Sequence, residues 1–404
     1  MNRLVVILPV FIALVGMDGC DSVTRGGLEG GLLSTSLDER GAAALVMQDG
    51  SILFAVNTAC EGEDGGKLKC HPEVMRVEAD GRLAGESCFP GQTLDGVTGQ
   101  ITFLLDTGTR VFYGGHLLNG DDWDVFLSSL DDEGCGETRI DTVPGTDETA
   151  WDAAVVGSKI VTVGSRTVEG YPAALVLFWS LEGAKEDSLL RLNEVAGDKS
   201  EALAVAASDD GQLVLAGYRF DVGGNTGDDL WVAQVVGAGT RSFKDILVAD
   251  SGGLKRELAS AIVRTPLGLF VGGYATWEDE ARPWIVEIQP DLTLAANAAT
   301  DGVLKSLEGR IETLAADPRG GVFAGGRKGA SPWLARFTAT GTQDSDWGDR
   351  TGFLPSIVRI GQGDASRVTV SVERKSILVA GSVLESSVST NGSRDAFLAL
   401  ETWK

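Results

Sequence analysis

The groups with which this 404-residue chain could do chemistry are few in kind: two histidines, five cysteines and 58 acidic residues. His71 and His116 lie in separate segments, and neither forms a recognisable nucleophile–base pair. A serine-nucleophile elbow, a phosphate-binding loop and a zinc-protease helix each need a short motif of fixed spacing, and none occurs. His116 follows Gly114-Gly115, where similar segments place Tyr or Arg, and reads as a surface residue at a strand end. Carboxylates are abundant, so the alternative reading is a carbohydrate-active hydrolase or lyase that uses carboxylates gathered at a central channel. No pair stands out, however, and the chain is expected not to be an enzyme, with no catalytic residues. Three acidic runs resemble oxygen-ligand loops: Asp121-Asp122-Trp123-Asp124, Asp228-Asp229 and 344–349. Asp344 and Asp346 match the first ligands of a calcium loop, but Pro355 stands where the bidentate Glu belongs. They read as turn residues, with no metal and no cofactor.

The cysteines bear on location. Arg3 precedes an apolar stretch from Leu4 to Val15, then Gly19 and Cys20. A basic start, a short apolar core and a small residue before the cut predict a signal peptide over 1–19. The apolar stretch is shorter than the ~20 residues a spanning helix needs. Gly19-Cys20 resembles the lipobox of bacterial lipoproteins, in which the Cys thiol receives diacylglycerol. Asp18 departs from that pattern. The resemblance implies lipidation at Cys20, with 20–30 as lipidated Cys and tether, and an exported protein anchored to a bacterial membrane, facing the periplasm or the cell exterior. Cys60, Cys70, Cys88 and Cys135 then remain for an oxidising compartment. Four cysteines allow three connectivities. Cys60–Cys70 would close one hairpin loop, and Cys88–Cys135 lie near matching positions of successive repeats.

The chain carries 34 basic against 58 acidic residues, a net charge of −24. Such a surface repels phosphate backbones and anionic lipid, so nucleic acid is excluded as a partner and membrane contact falls to the anchor. A monomer is expected.

The elements that must position any site recur. An apolar strand ending in small residues appears as 52–56, Val111 to Gly115, Ile160 to Gly164, Leu213 to Tyr218, Leu269 to Tyr274, Val322 to Gly326 and Ile377 to Gly381. Val56, Gly114, Gly164, Gly217, Gly272, Gly325 and Gly381 serve as markers, about 54 residues apart, a length suited to a four-stranded propeller blade. A preceding strand is joined to each by turns such as Gln48-Asp49-Gly50 and Arg319-Gly320-Gly321. A third strand carries the anchors Phe126, Trp231, Trp284, Trp333 and Phe397, read as core packing between blades. A weaker fourth strand is expected near Arg139 to Val143, Leu189 to Asn193, Phe243 to Val248 and Leu292 to Ala296. The last repeat ends without one, and Leu32 and Leu33 are expected to supply it beside Phe397 to Glu401, closing the ring.

The apolar-Ala-Gly-Tyr strand, Asp395-Ala396-Phe397-Leu398-Ala399, and Thr342 to Gly348 resemble the delta-60 and SBBP-type β-propeller repeats of bacterial exported proteins. The resemblance covers most of 41–404. It implies a fold and little about activity. The expectation is therefore an all-β, seven-bladed β-propeller over 31–404, with four-stranded antiparallel blades. Its function is that of a membrane-anchored binding or scaffold module for a protein, peptide or glycan. The longest variable loops, Thr58 to Lys69, Phe220 to Asp229 and Val383 to Asp395, are expected to mark the binding face.

Overall fold

The computed structural model describes residues 28–29, 32–33, 40–64, 67–78, 98–131, 134–191, 199–208, 211–220, 228–237, 241–249, 257–277, 280–289, 291–293, 308–328, 331–347, 362–371, 376–384 and 394–402. Cys20, Cys88 and the 1–19 segment lie outside them.

Every described element of regular structure is a β-strand. Two short strands, β1 (Leu28–Glu29) and β2 (Leu32–Leu33), precede the repeats. The first repeat is β3 (Arg40–Val46), β4 (Ile52–Asp64) and β5 (Lys67–Val77). The second is β6 (Gly99–Asp106), β7 (Val111–Asn119), β8 (Asp122–Asp131) and β9 (Gly134–Asp141). The third is β10 (Glu148–Val156), β11 (Lys159–Val168), β12 (Tyr171–Ser180) and β13 (Lys185–Leu190). The fourth is β14 (Lys199–Ala207), β15 (Leu213–Phe220), β16 (Asp228–Val236) and β17 (Ser242–Ala249). The fifth is β18 (Glu257–Thr265), β19 (Gly268–Trp277) and β20 (Glu280–Ile288), and the sixth β21 (Arg310–Asp317), β22 (Gly321–Lys328) and β23 (Ser331–Phe337). The seventh is β24 (Gln362–Ser371), β25 (Ser376–Leu384) and β26 (Arg394–Thr402).

All strand pairs within a repeat are antiparallel meanders, so the period-2 patterns and tight turns read from the sequence place their strands correctly. The four-strand expectation holds for β10–β13 and β14–β17, whereas the four strands β6–β9 form part of a larger sheet and the fifth and sixth repeats have three described strands. Near the predicted fourth strand of the fifth repeat, Leu292 sits in a tight turn at φ 62° and its amide donates to the Gln289 carbonyl. The first two repeats share a seven-stranded sheet, joined by a single pairing of Cys70 with Gly99. The last repeat lies in a five-stranded sheet: Leu32 pairs with Phe397 and Leu33 with Ala396.

The core lies between repeats. Val163, Val176 and Ala174 of the third repeat pack with Leu215, Trp231 and Ala233 of the fourth. Another cluster joins Phe103, Phe112 and Leu127 to Ile160, Leu177 and Trp179. A further one brings Leu378 and Ala380 of the last repeat against Ala44, Phe54, Val56 and Met75 of the first. No sheet buries its faces alone, so each repeat depends on its neighbours for apolar burial. The first strands follow one another as neighbours, β3 to β6, β10, β14, β18, β21 and β24, and β24 also lies against β3.

Each first strand carries a bulge at the same place, for example between Ala202 and Ala204, Ala259 and Ala261, and Ile311 and Thr313. The bulge explains the repeated glycine. A Cβ on Gly217 would lie 1.9 Å from the Glu201 carbonyl oxygen, and one on Gly273 would lie 1.8 Å from that of Leu258. The register also corrects the sequence alignment: Gly115, Gly273 and Gly326 match Gly164 and Gly217, one residue beyond Gly114, Gly272 and Gly325. In the first repeat the glycine has moved across the pair, where Gly41 faces Val56.

Candidate functional site

The two ends of the sheets differ. At one end the first and second strands are joined by tight turns whose glycines adopt positive φ, among them Gly50, Gly108, Gly157 and Gly211. The opposite end collects the connections between second and third strands and those from each repeat to the next. The three loops singled out from the sequence belong to this second end. Parts of them, 65–66, 221–227 and 385–393, lie outside the described residues.

Just inside the loop end, one layer of cross-strand pairs varies from repeat to repeat while the strands around it stay alike. The pairs are Arg40 with Asn57, Gln100 with His116, Thr149 with Ser165, Glu201 with Tyr218, Leu258 with Tyr274 and Arg310 with Arg327. Each falls immediately before the bulge, so the backbone that forces glycine at the next position also holds these side chains in register.

Glu201 is the best-connected member. Its Oε1 accepts from Trp151 Nε1 at 2.7 Å, Ser165 Oγ at 2.8 Å and Thr149 Oγ1 at 3.4 Å, and its Oε2 accepts from Tyr218 at 2.9 Å. Three of these donors belong to the preceding repeat, so the carboxylate ties two sheets together. Trp151 is the bulge residue of β10, where the other bulges carry smaller groups such as Thr102 and Ser260. Its ring stands edge-on to His116 at 5.2 Å, and Trp123 meets His116 from another side at 5.4 Å. His116 is 0% exposed. The expectation of a surface histidine is thereby corrected: two indoles from adjacent repeats enclose it, which local sequence does not reveal.

Other members of the layer also bridge repeats. Asn57 Nδ2 donates to the Ile101 carbonyl at 3.0 Å and its Oδ1 accepts from the Ile101 amide at 2.8 Å. Arg310 lies over the Tyr274 ring at 4.7 Å. The layer thus places a carboxylate, a histidine, aromatic rings and a pair of guanidiniums at the same level of successive repeats.

A second polar cluster sits further out, between the second and third repeats. Asp124, Asp141 and Glu148 are buried there, and the half-buried Arg166 and exposed Lys185 both pair with Asp141. Glu148 Oε1 accepts from Arg166 Nε at 2.5 Å, while its Oε2 has no hydrogen-bond partner. Burial pushes Glu148 up to about 7; Arg166 opposes the rise and the charges of Asp141 and Asp124 add to it. Burial likewise raises Asp124, against hydrogen bonds from Asn119 and Thr142. At the turn end, burial would raise Asp317, but bonds from Arg319 and Arg336 bring it below its ordinary range. Among the described residues no group of three or more His, Cys, Asp or Glu is arranged to hold a metal ion.

No family model matches the chain, and no curated protein matches it. Solved structures do. Sqt1 of Chaetomium thermophilum is 16% identical at TM-score 0.48, over 89% of this chain and 86% of its own. An α-L-arabinanase of Penicillium chrysogenum is 11% identical at TM-score 0.47, over 91% and 93%. Prolyl oligopeptidase B of Galerina marginata is 11% identical at TM-score 0.47, and this chain spans only 52% of its length. These neighbours are β-propeller folds. Enzymes stand among them, so these neighbours give no support to the expectation that the chain is not an enzyme, and that expectation is withdrawn. Identities and TM-scores this low carry neither activity nor partner to this chain.

The remaining sequence-derived positions fall as follows. Cys60 and Cys70 form a disulfide across the β4–β5 hairpin. Cys135 lies in β9 opposite Leu130, and its suggested partner Cys88 is outside the described residues. Phe126, Trp231, Trp284 and Trp333 are buried, and Phe397 pairs with Gly381. Trp231 Nε1 also donates to Asp245 Oδ1 at 2.7 Å, and Arg191 stacks on its ring. His71 is exposed. Asp344 pairs with Arg336 and accepts the Asp346 amide at 3.1 Å, which makes it a turn-forming residue. Asp122 Oδ2 accepts the Gly145 amide at 2.7 Å. Glu201, Trp151, Asn57 and the arginine pair were not singled out from sequence. One signal could have found several of them: the residue after the repeated glycine changes from His116 to Ser165, Tyr218, Tyr274 and Arg327 while its surroundings stay constant.

Proposed function

We propose that this chain is an exported, lipid-anchored, seven-bladed propeller whose loop end recognises a protein, peptide or glycan partner. The packing of Leu378 and Ala380 against the first repeat, and the neighbouring of β24 with β3, support a closed ring. The Cys60–Cys70 disulfide agrees with export to an oxidising compartment. The observation that carries the binding role is the variable layer. Repeats that share one strand and bulge pattern carry a different pair at this level, next to the end where the long loops emerge, and Glu201, Tyr218, Tyr274, Arg310 and Arg327 are its half-buried members. Variation held on a rigid frame is how a repeat scaffold makes a specific surface.

The test is binding of the full chain, in detergent, to peptide and glycan arrays, with mass spectrometry of the bound molecules to read any turnover. Trp151→Ala should lower the array signal at least about tenfold, the scale at which a central interface aromatic acts. Leu267→Ser, at the turn end, should leave it unchanged. Equal binding by the Trp151 variant, or loss only with the Leu267 variant, would refute the loop-end assignment. The anchor is tested separately: Cys20→Ser should move the protein from the detergent phase to the aqueous phase.

A further inference from the structure

Arg310 and Arg327 stand directly opposite each other on β21 and β22. Directly opposed like charges on paired strands repel and destabilise the pair. Among the described residues neither arginine pairs with one, although the chain carries 58 acidic residues. The contrast with the turn end of the same repeat is direct, since Arg319 and Arg336 there both pair with Asp317, and Asp344 brings a second carboxylate to Arg336. Tyr274 of the preceding repeat lies beneath the Arg310 guanidinium and fixes its plane. Both arginines are half-buried and belong to the variable layer at the loop end.

We infer that Arg310 and Arg327 form an anion subsite that takes the C-terminal carboxylate of a peptide. The inference rests on the loop-end binding role and names its ligand. Two guanidiniums offer a carboxylate paired N–H donors in a planar fork, and a ligand that supplies the anion removes the repulsion between them. The charge of the whole chain narrows the choice. A net charge of −24 repels nucleic acids, polyuronates and strongly acidic segments. A neutral or basic peptide with one free terminal carboxylate meets the arginine pair without that penalty, and its remaining positive charge is attracted to the rest of the surface.

The experiment uses the full chain in detergent and a pooled random hexapeptide library, prepared once with free C-termini and once amidated. The free-acid pool should be retained at least about tenfold better than the amidated pool, and Arg327→Met should abolish that difference. Retention of both pools alike overturns the subsite while leaving a loop-end peptide site standing. Retention of neither pool, with glycans bound on the arrays, overturns the subsite and assigns the loop end to glycans. A fold-level readout accompanies it. If the pair is kept for a ligand, Arg327→Met should leave the melting temperature of the ligand-free protein unchanged or raise it. A fall would mean that the arginine serves the fold itself, and would also overturn the assignment.

Discussion

Glu148 shows how one buried side chain turns sheet packing into a pH response. Its carboxyl is raised from 4.5 to about 7, with burial the largest cause. An acid whose folded value is raised is protonated in both states below 4.5 and adds no pH dependence there. Between 4.5 and 7 the unfolded chain ionises at this position before the folded one does, so this group lowers stability as pH rises across that window. Glu148→Gln keeps an acceptor for Arg166 and removes the titration. Urea melts at pH 4.5 and pH 8 should show the variant gaining on the wild type at the higher pH, by on the order of 2 kcal/mol. The repeated glycine makes a second prediction at this scale. Gly217→Ala should cost about 1–3 kcal/mol or more, because its Cβ would meet the Glu201 carbonyl and the bulge leaves that backbone nowhere to go. A lowered urea midpoint with an unchanged slope would bear this out.

At the scale of elements, what holds one sheet to the next is apolar packing closed by a few polar bridges. Asn57 takes both backbone groups of Ile101 across the first and second repeats. Asn57→Ala leaves both unmet in a buried setting and should cost about 2–3 kcal/mol, measurable as a lower urea midpoint. Trp231 combines full burial with a bond to Asp245 of β17. Its replacement by Ala should cost about 3–5 kcal/mol, and hydrogen exchange should quicken first in β17, whose outer edge that bond secures. The position of these anchors was legible in the sequence because apolar alternation and a Trp at constant offset are local features. The bridges were not, since Asn57 and Ile101 are 44 residues apart and nothing near either marks the other.

For the molecule as a whole, the pairing of Leu32 and Leu33 with Ala396 and Phe397 joins a segment that precedes the repeats to the last strand. It covers an edge that β26 would otherwise expose. Replacing Leu32 and Leu33 by proline removes those backbone donors. The double variant should melt at a lower temperature, with faster hydrogen exchange in 394–402 and little change in the third and fourth repeats. Uniform loss across all repeats would show that the chain unfolds as one unit.

By itself the sequence determined the strand class, the recurrence of antiparallel strands joined by tight turns, the Cys60–Cys70 pair and the pairing of Leu32 and Leu33 with the last strand. All of these follow from patterns within a few residues or from their recurrence about 54 residues later. The tertiary structure alone decided that His116 is enclosed by two indoles, that Glu201 is held by Trp151 and Tyr218, and that Arg310 and Arg327 face each other with no acid paired to either among the described residues. It also decided why glycine recurs, through a bulge no propensity predicts. The physical reason is the same in each case. Neighbouring sheets meet face to face, so a residue's partners come from the next repeat, about 50 residues away. Only the folded arrangement says which side chains share that space.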